Sequence, residues 1–215
     1  MTKGKMKQLA LAVGTVLGSM SMIPSSQAVN VATDDLGQVL IFPYYTVRGG
    51  WNTLFNITNT SDNVVAVKVR LHEAYNSRDV FDFNVILSPQ DVWSGWVEYD
   101  EEGGARFRTN DNSCTVPQIV PDSTGQTFQG NGANAVLAYT GSATDGGPSS
   151  VDRVREGYVT MLAMGMSAPP YTALAANAIH NNVPNNAAVP ANCAALRAAF
   201  SASSGIAALR AGFPD

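Results

Sequence analysis

Apolar residues fall on alternate positions through three consecutive runs between Trp51 and Val97. In the clearest run Val65, Val67, Val69 and Leu71 are apolar, while Ala66, Lys68, Arg70 and His72 between them are small or charged. Successive side chains of a strand point to opposite faces, so a period of two predicts a strand of an antiparallel sheet, buried on one side and wetted on the other. The run before it sets Trp51, Phe55 and Ile57 on one face and Asn52, Asn56 and Thr58 on the other, with Leu54 out of phase. Asn59-Thr60-Ser61-Asp62-Asn63 joins the two runs. Short polar side chains that hydrogen-bond their own backbone favour a turn there and predict a hairpin loop of about four residues. In the third run Phe81, Phe83, Val85 and Leu87 alternate with Asp82, Asn84, Ile86 and Ser88 until Pro89-Gln90-Asp91 breaks the pattern. A fourth strand is expected from Val92 to Tyr99.

The flanks are less regular. Gln38 to Tyr45 is a short apolar run interrupted by Pro43. Proline cannot donate to a ladder, so this is an edge strand or a strand that bends, of the kind a subunit could pair with its neighbour. Between Asp100 and Pro121 the alternation fades into an irregular stretch, and Gly141 to Ser150 is a small, polar loop. Ala135 to Thr140 is expected to be a strand. So is Tyr158 to Met164, an interior one because both of its faces are apolar. After Pro169-Pro170 the character changes: 15 alanines occur in the 43 residues from Tyr171 to Phe213. That composition favours helix. Tyr171, Leu174, Ala175 and Ala178 keep helical spacing, as do Cys193, Leu196 and Phe200, and again Ile206, Leu209 and Phe213. Three short helices are predicted, each too short to stand without packing on a sheet. The chain stops soon afterwards without a closing strand, as a piece of a longer protein would.

Four short strands spaced by turn signals, with no helix between them, suit a β-sandwich. The string Phe-Asn-Ile-Thr-Asn-Thr-Ser-Asp from Phe55, the Val-rich strand after it and Leu-Ser-Pro-Gln-Asp-Val-Trp from Leu87 resemble an Ig-like module of uncharacterised secreted or cell-surface bacterial proteins. The resemblance runs from Gly37 to Val97 and takes in Arg155-Glu156-Gly157-Tyr158. It implies an exported surface protein and carries no catalytic residue. The expected organisation is therefore a signal peptide at 1–28, an antiparallel Ig-like β-sandwich at 29–168, and an Ala-rich helical segment at 169–215 packed on the sandwich.

Lys3, Lys5 and Lys7, the apolar stretch from Leu9 to Ile23 and the small residues Ser26-Gln27-Ala28 match a cleaved secretory leader. Gly14, Gly18, Ser19 and Ser21 weaken the stretch as a retained anchor, which needs about 20 strongly apolar residues. Cleavage near Val29 leaves 10 basic residues against 17 acidic ones, a net charge near −7. Nucleic acid and anionic membranes want basic patches, and this balance gives neither support. No later run reaches a transmembrane length, so the mature chain is expected in the extracellular space, at the cell surface or in the periplasm. Two cysteines, Cys114 and Cys193, are expected to be bridged in an exported protein. Closing so long a loop stabilises by about 4 kcal/mol in a chain-entropy account.

Candidate chemistry is sparse. His72-Glu73 begins like a zinc-protease motif but lacks the second histidine and lies on a predicted strand. His72 and His180, the only histidines, read as solvent-exposed residues of a strand and a helix. A Ser-His-Asp arrangement finds no local support. Asp100, Glu101 and Glu102, with Asn110, Asp111 and Asn112, offer oxygen atoms without calcium-loop spacing and read as solvated loop acids. No cofactor, metal or catalytic residue is assigned. Trp93, Trp96 and Tyr99 are the candidate aromatic patch for a glycan, although Trp93 and Trp96 take opposite faces unless Gly95 makes a bulge. Asn56-Ile57-Thr58 and Asn59-Thr60-Ser61 fit the glycosylation acceptor pattern. These features predict an exported protein with a structural or interaction role, adhesion or assembly, whose partners are other surface proteins, itself or a glycan. The alternative is a secreted carbohydrate-binding module or polymer hydrolase.

Overall fold

Side-chain alternation becomes a set of antiparallel strands. In the computed structural model, which describes residues 36–121, 123–128, 144–181, 188–201 and 211–213, the chain divides into two units, Met1–Leu36 and Gly37–Asp215. Every element below lies in the second. The leader at 1–28, the strand expected at 135–140 and most of the third helix at 206–213 fall outside the described residues.

The strands are β1 (Val39–Thr46), β2 (Thr53–Thr58), β3 (Val64–Glu73), β4 (Asp79–Leu87), β5 (Val92–Asp100), β6 (Gly104–Arg108), β7 (Cys114–Val116), β8 (Gln126–Thr127), β9 (Glu156–Ser167), β10 (His180–Asn181) and β11 (Val189–Pro190). They form a five-stranded sheet in the order β1-β9-β3-β4-β7, a four-stranded sheet in the order β2-β5-β6-β8, and the small pair β10-β11. Every strand pairing among the described residues is antiparallel. The protein is thus mainly β, as the alternation predicts. The stretch read as irregular after Asp100 instead holds β6 and β7, whose five and three residues are too short to show a period.

Both larger sheets feed one apolar interior. Val67, Val69 and Leu71 of β3, Phe81, Phe83 and Val85 of β4, and Val159 and Met161 of β9 share a cluster with Phe55 and Ile57 of β2, Trp93 and Val97 of β5, and Phe107 of β6. Trp93 lies parallel to Phe107 at 5.8 Å, and Phe107 stacks on Phe81 at 5.6 Å. Each such side chain contributes roughly 1.5–3 kcal/mol by leaving water. Trp51 does not join them: it precedes β2 and is exposed, as is Leu54 on the strand's outer face.

At one end the five-stranded sheet is covered on its other face too. Val64 and Ala66 of β3, Ile86 of β4, and Cys114 and Val116 of β7 meet Ala175, Ala178, Leu196 and Phe213 in a second cluster. Ile86, placed by alternation on the wetted face, is buried for this reason. The covering segment is less helical than its alanines predict. Its one described α-helix of more than a turn, α1 (Cys193–Ser201), starts where Asn192 Oδ1 accepts the Ala195 N–H at 3.1 Å, and carries the expected stripe of Cys193, Leu196 and Phe200. The first expected helix is only a 3₁₀ turn, Ala175–Ala178. There the Asn177 side chain bonds the carbonyls of Ala173 and Leu174, competing with the backbone, and the chain straightens at Ile179 into β10.

A disulfide joins Cys114 of β7 to Cys193 at the head of α1, with Cα atoms 5.1 Å apart. Urea unfolding with and without reductant checks its contribution: reduction should lower stability by up to about 4 kcal/mol. Free-thiol titration should find these two sulfurs unreactive until then. Gly95 supplies a second check, because a Cβ there would lie 2.6 Å from Cζ of Phe107. Gly95→Ala should cost about 1–3 kcal/mol in the same assay, the ordinary cost of overpacking a core.

Candidate interaction site

The sequence of β1, Val-Leu-Ile-Phe-Pro-Tyr-Tyr-Thr, contains no charge. It is an edge strand: β9 pairs with one side, and among the described residues no strand pairs with the other. Leu40 and Phe42 pack against the main core, whereas Val39, Ile41 and Tyr44 are 56%, 64% and 58% exposed. Opposite Val39 on β9 stands Leu162, opposite Ile41 stands Thr160, and Met164 further along the strand is exposed. An apolar, uncharged strip therefore borders the free edge. Beyond it the outer face turns ionic, with Lys68 to Asp82 at 2.5 Å and Arg70 to Asp79, and His72 Nδ1 lies 3.1 Å from Asp79 Oδ1.

Backbone direction decides what the edge offers. The Ala163 N–H donates to the Gln38 carbonyl at 2.8 Å, so as far as Phe42 the even-numbered residues of β1 turn their hydrogen-bonding groups toward β9; past the register shift the parity reverses, with the Val47 N–H donating to the Arg155 carbonyl at 2.9 Å. Val39 and Ile41 turn theirs outward. Pro43 shares that outward parity, where its missing N–H costs no ladder bond, and pairing with β9 shifts register between Phe42 and Tyr45. Proteins usually guard such an edge with charge, proline or a bulge. Here the guards protect only the second half of the strand.

The three aromatic residues expected to form one patch are separated. Trp93 is wholly buried, a correction that follows from the regular register on both sides of Gly95: no bulge forms, and Phe107 occupies the space over the glycine. Trp96 lies on the outer face between Leu54 and Arg108, donating its indole N–H to Glu98 at 2.9 Å with the Arg108 guanidinium 5.3 Å from its ring. Tyr99, at the end of β5, lies under Arg155 at 4.7 Å.

Neither histidine is a free surface group. His72 stacks on Tyr158 at 4.7 Å, and its Nε2 is 3.1 Å from Thr160 Oγ1. His180 has Nδ1 2.8 Å from Ser88 Oγ and Nε2 3.0 Å from Asn112 Oδ1, with Asp91 Oδ2 at 3.7 Å. The Asn112 amide nitrogen donates to the Ala188 carbonyl, which turns its oxygen to the imidazole, so Nε2 is the ring nitrogen that donates to it. Hydroxyl, imidazole and amide are the parts of a nucleophilic site, but Ser88 is buried and its hydroxyl also meets Asp91 at 3.1 Å. The trio ties the turn after β4 and the loop before β7 to β10. Of the loop acids, Glu101 and Glu102 are exposed as expected, whereas Asp100 is buried against Arg106 and accepts the Gly103 N–H, and Asp111 accepts from Ser113. Among the described residues no group of three or more His, Cys, Asp or Glu could hold a metal ion. Of the two glycosylation patterns, Asn59 is buried and donates to the carbonyls of Asn63 and Ser88, while Asn56 is exposed.

No sequence signal marked the ion cluster at the other end of β3, in which Glu73 and Arg153 are buried and Asp145 reaches them from the surface. Glu73, Asp145 and Arg153 come together from distant positions. Arg153 Nη2 donates to Glu73 at 3.0 Å and to Asn76 Oδ1 at 2.6 Å, and also pairs with Asp145. A cleft lined by Arg48, Tyr75, Pro148, Ser150, Asp152 and Glu156 opens beside it. Burial pushes the Glu73 carboxyl up, but hydrogen bonds from Arg153 and from the backbone N–H groups of Arg78, Tyr75 and Asn76 outweigh it and hold the group below its ordinary 4.5. Arg153 also holds Asp145 well below the usual carboxylate range and is itself held more firmly protonated.

No family model, curated protein or solved structure matches the chain. Its own residues carry the functional reading.

Removing Arg153 would strand Glu73 as an uncompensated buried charge, so Arg153→Met should cost about 3–5 kcal/mol in urea unfolding at pH 7. Because Glu73 titrates lower in the folded chain than in the unfolded one, its stabilisation is complete above the ordinary carboxylate range and is lost as acid takes the pH down through the lowered value. Unfolding midpoints measured from pH 7 to pH 3 should fall, and Glu73→Gln should flatten that fall.

Proposed function

We propose that this chain is an exported structural or interaction protein, an Ig-like β-sandwich that binds by strand addition at β1 and performs no turnover. The observation that carries the reading is the unguarded half of β1: two residues with outward backbone groups, no charge in the strand, and exposed apolar side chains beside it. Strand addition uses these features, with main-chain hydrogen bonds giving affinity and alternate side chains giving selectivity. Export is supported by the leader-like pattern at 1–28, and the disulfide agrees with an oxidising compartment. Among the described residues no helix is long and apolar enough to cross a membrane. The sandwich reading is supported by two antiparallel sheets that share one core, and the Ig-like reading by the Phe55 to Trp93 resemblance. A second reading, a glycan-binding module, is favoured by Trp96, a half-exposed indole flanked by Arg108 and Glu98.

Cell fractionation followed by sizing of the released protein tests both. The wild type should be recovered at the cell surface in assemblies, and Ile41→Lys should be released as a small species. Since Ile41 is exposed, that substitution should change folding stability by no more than about 0.5 kcal/mol. Assemblies unaffected by Ile41→Lys, together with retention on a polysaccharide that Trp96→Ala abolishes, would transfer the function to the glycan reading.

A further inference from the structure

Strand addition at β1 leaves the identity of the added strand open. We infer that it is β1 of a second copy, paired antiparallel about a two-fold axis through Leu40. This inference rests on that reading and specifies its partner.

The register follows from two constraints. In an antiparallel pair, directly opposed residues point to the same face. To keep the core side of one copy continuous with the core side of the other, odd-numbered residues must therefore oppose odd-numbered ones. Val39 opposite Ile41, with Leu40 opposite itself, satisfies this requirement. It also sets the outward N–H and C=O of Val39 against those of Ile41 in the other copy, so that every outward group of both residues is used. A slip by one residue would turn the core-facing side chains to the outer surface. A slip by two in one direction sets Val39 against Pro43, which has no N–H to give. The opposite slip sets Ile41 against Gly37, which precedes the strand.

Side chains and charge favour the same partner. In this register Val39 and Ile41 of both copies form one cluster on the outer face, bordered by Leu162 from each β9, and four exposed apolar side chains leave water together. Cross-strand pairs of β-branched residues are among the stabilising ones. Two copies of an acidic chain, with net charge −4 before any leader is removed, repel at most points of approach. Along β1 and its neighbours Thr160 and Leu162 no charged side chain faces another, so the seam is a place where two acidic copies meet without like-charge contact. The partner must be an extended, uncharged segment that fits a two-residue window. β1 meets that description in every copy. The other sheet's edge strand, β2, fits less well because Asn56 and Thr58 are the exposed neighbours of Leu54 on its face.

The experiment uses the full mature chain. In Leu40→Cys the new thiol is the single free one, because Cys114 and Cys193 are bridged, and it sits on the proposed axis beside its own copy. Mild oxidation should give a dimer on a non-reducing gel that reductant returns to monomer. If Leu40→Cys proves poorly folded, sedimentation of the wild type against Ile41→Lys decides alone. The wild type should dimerise with concentration, and the lysine, placed across the seam from Val39, should weaken dimerisation at least ~10-fold, the factor that corresponds to about 1.4 kcal/mol. A wild type that stays monomeric at high concentration, or a dimer indifferent to Ile41→Lys, overturns the inference. Surface assemblies lost in Ile41→Lys from a chain that is monomeric in isolation would identify a foreign strand, and the strand-addition reading would stand without the second copy. If neither assembly nor dimerisation responds, both fail.

Discussion

The parallel contact of Trp93 with Phe107 is the interaction on which the rest of the fold depends. These rings come from adjacent strands of the four-stranded sheet, and Phe83 of the facing sheet tilts against both, at 5.4 Å from Trp93 and 5.1 Å from Phe107. Two sheets cannot keep such rings in register unless their strands alternate strictly, since one slipped residue would send an indole to the surface. That requirement explains Gly95. The strand between the rings needs a residue with no side chain, because Phe107 occupies the space a Cβ would take. The same alternation sends Trp96 outward, where its polar edge finds Glu98.

A core of this kind finishes one face of each sheet and leaves the other to be dealt with separately. The five-stranded sheet uses three solutions along its outer face. Near β7 the C-terminal segment covers it, held by the disulfide and by the Ser88, His180 and Asn112 contacts. In the middle, Lys68, Arg70 and His72 face Asp79 and Asp82, an ion-paired surface that water solvates well and that adds little to stability. Beside Val39 and Ile41 of β1 neither device is present among the described residues.

What could be read from the residues alone follows the range of the forces involved. Alternation is a local property, so β3, β4 and β5 were legible, as was β1 as an edge strand from Pro43. The cysteine pair was legible because two thiols admit one partner. Ile86 was misplaced because its cover arrives from a segment almost a hundred positions away, and β6 and β7 were missed because five and three residues are too few to display a period. The aromatic patch failed for a different reason. Period two separates Trp93 from Trp96, but only the packing of Phe107 over Gly95 shows that no bulge restores them to one side. The Glu73 and Arg153 pair left no trace in spacing, since the partners are separated by 80 positions that include β4 to β8.

The edges of the two sheets differ in how much open ladder they present. β7 is three residues long and fastened to α1, and β8 is two residues long, so neither presents a ladder worth extending. β1 has eight residues, with its side chains divided between core and solvent; the outward backbone groups of Val39 and Ile41 are open among the described residues, while those of Thr46 are taken up by Thr53 Oγ1. Proline and the shift of register limit the exposed ladder without closing it. A strand guarded over its whole length would signal a protein built to stay alone, and one unguarded throughout would invite indiscriminate pairing. A short open window next to a built-in stop fixes register as well as permitting contact, which is the property an assembly interface needs.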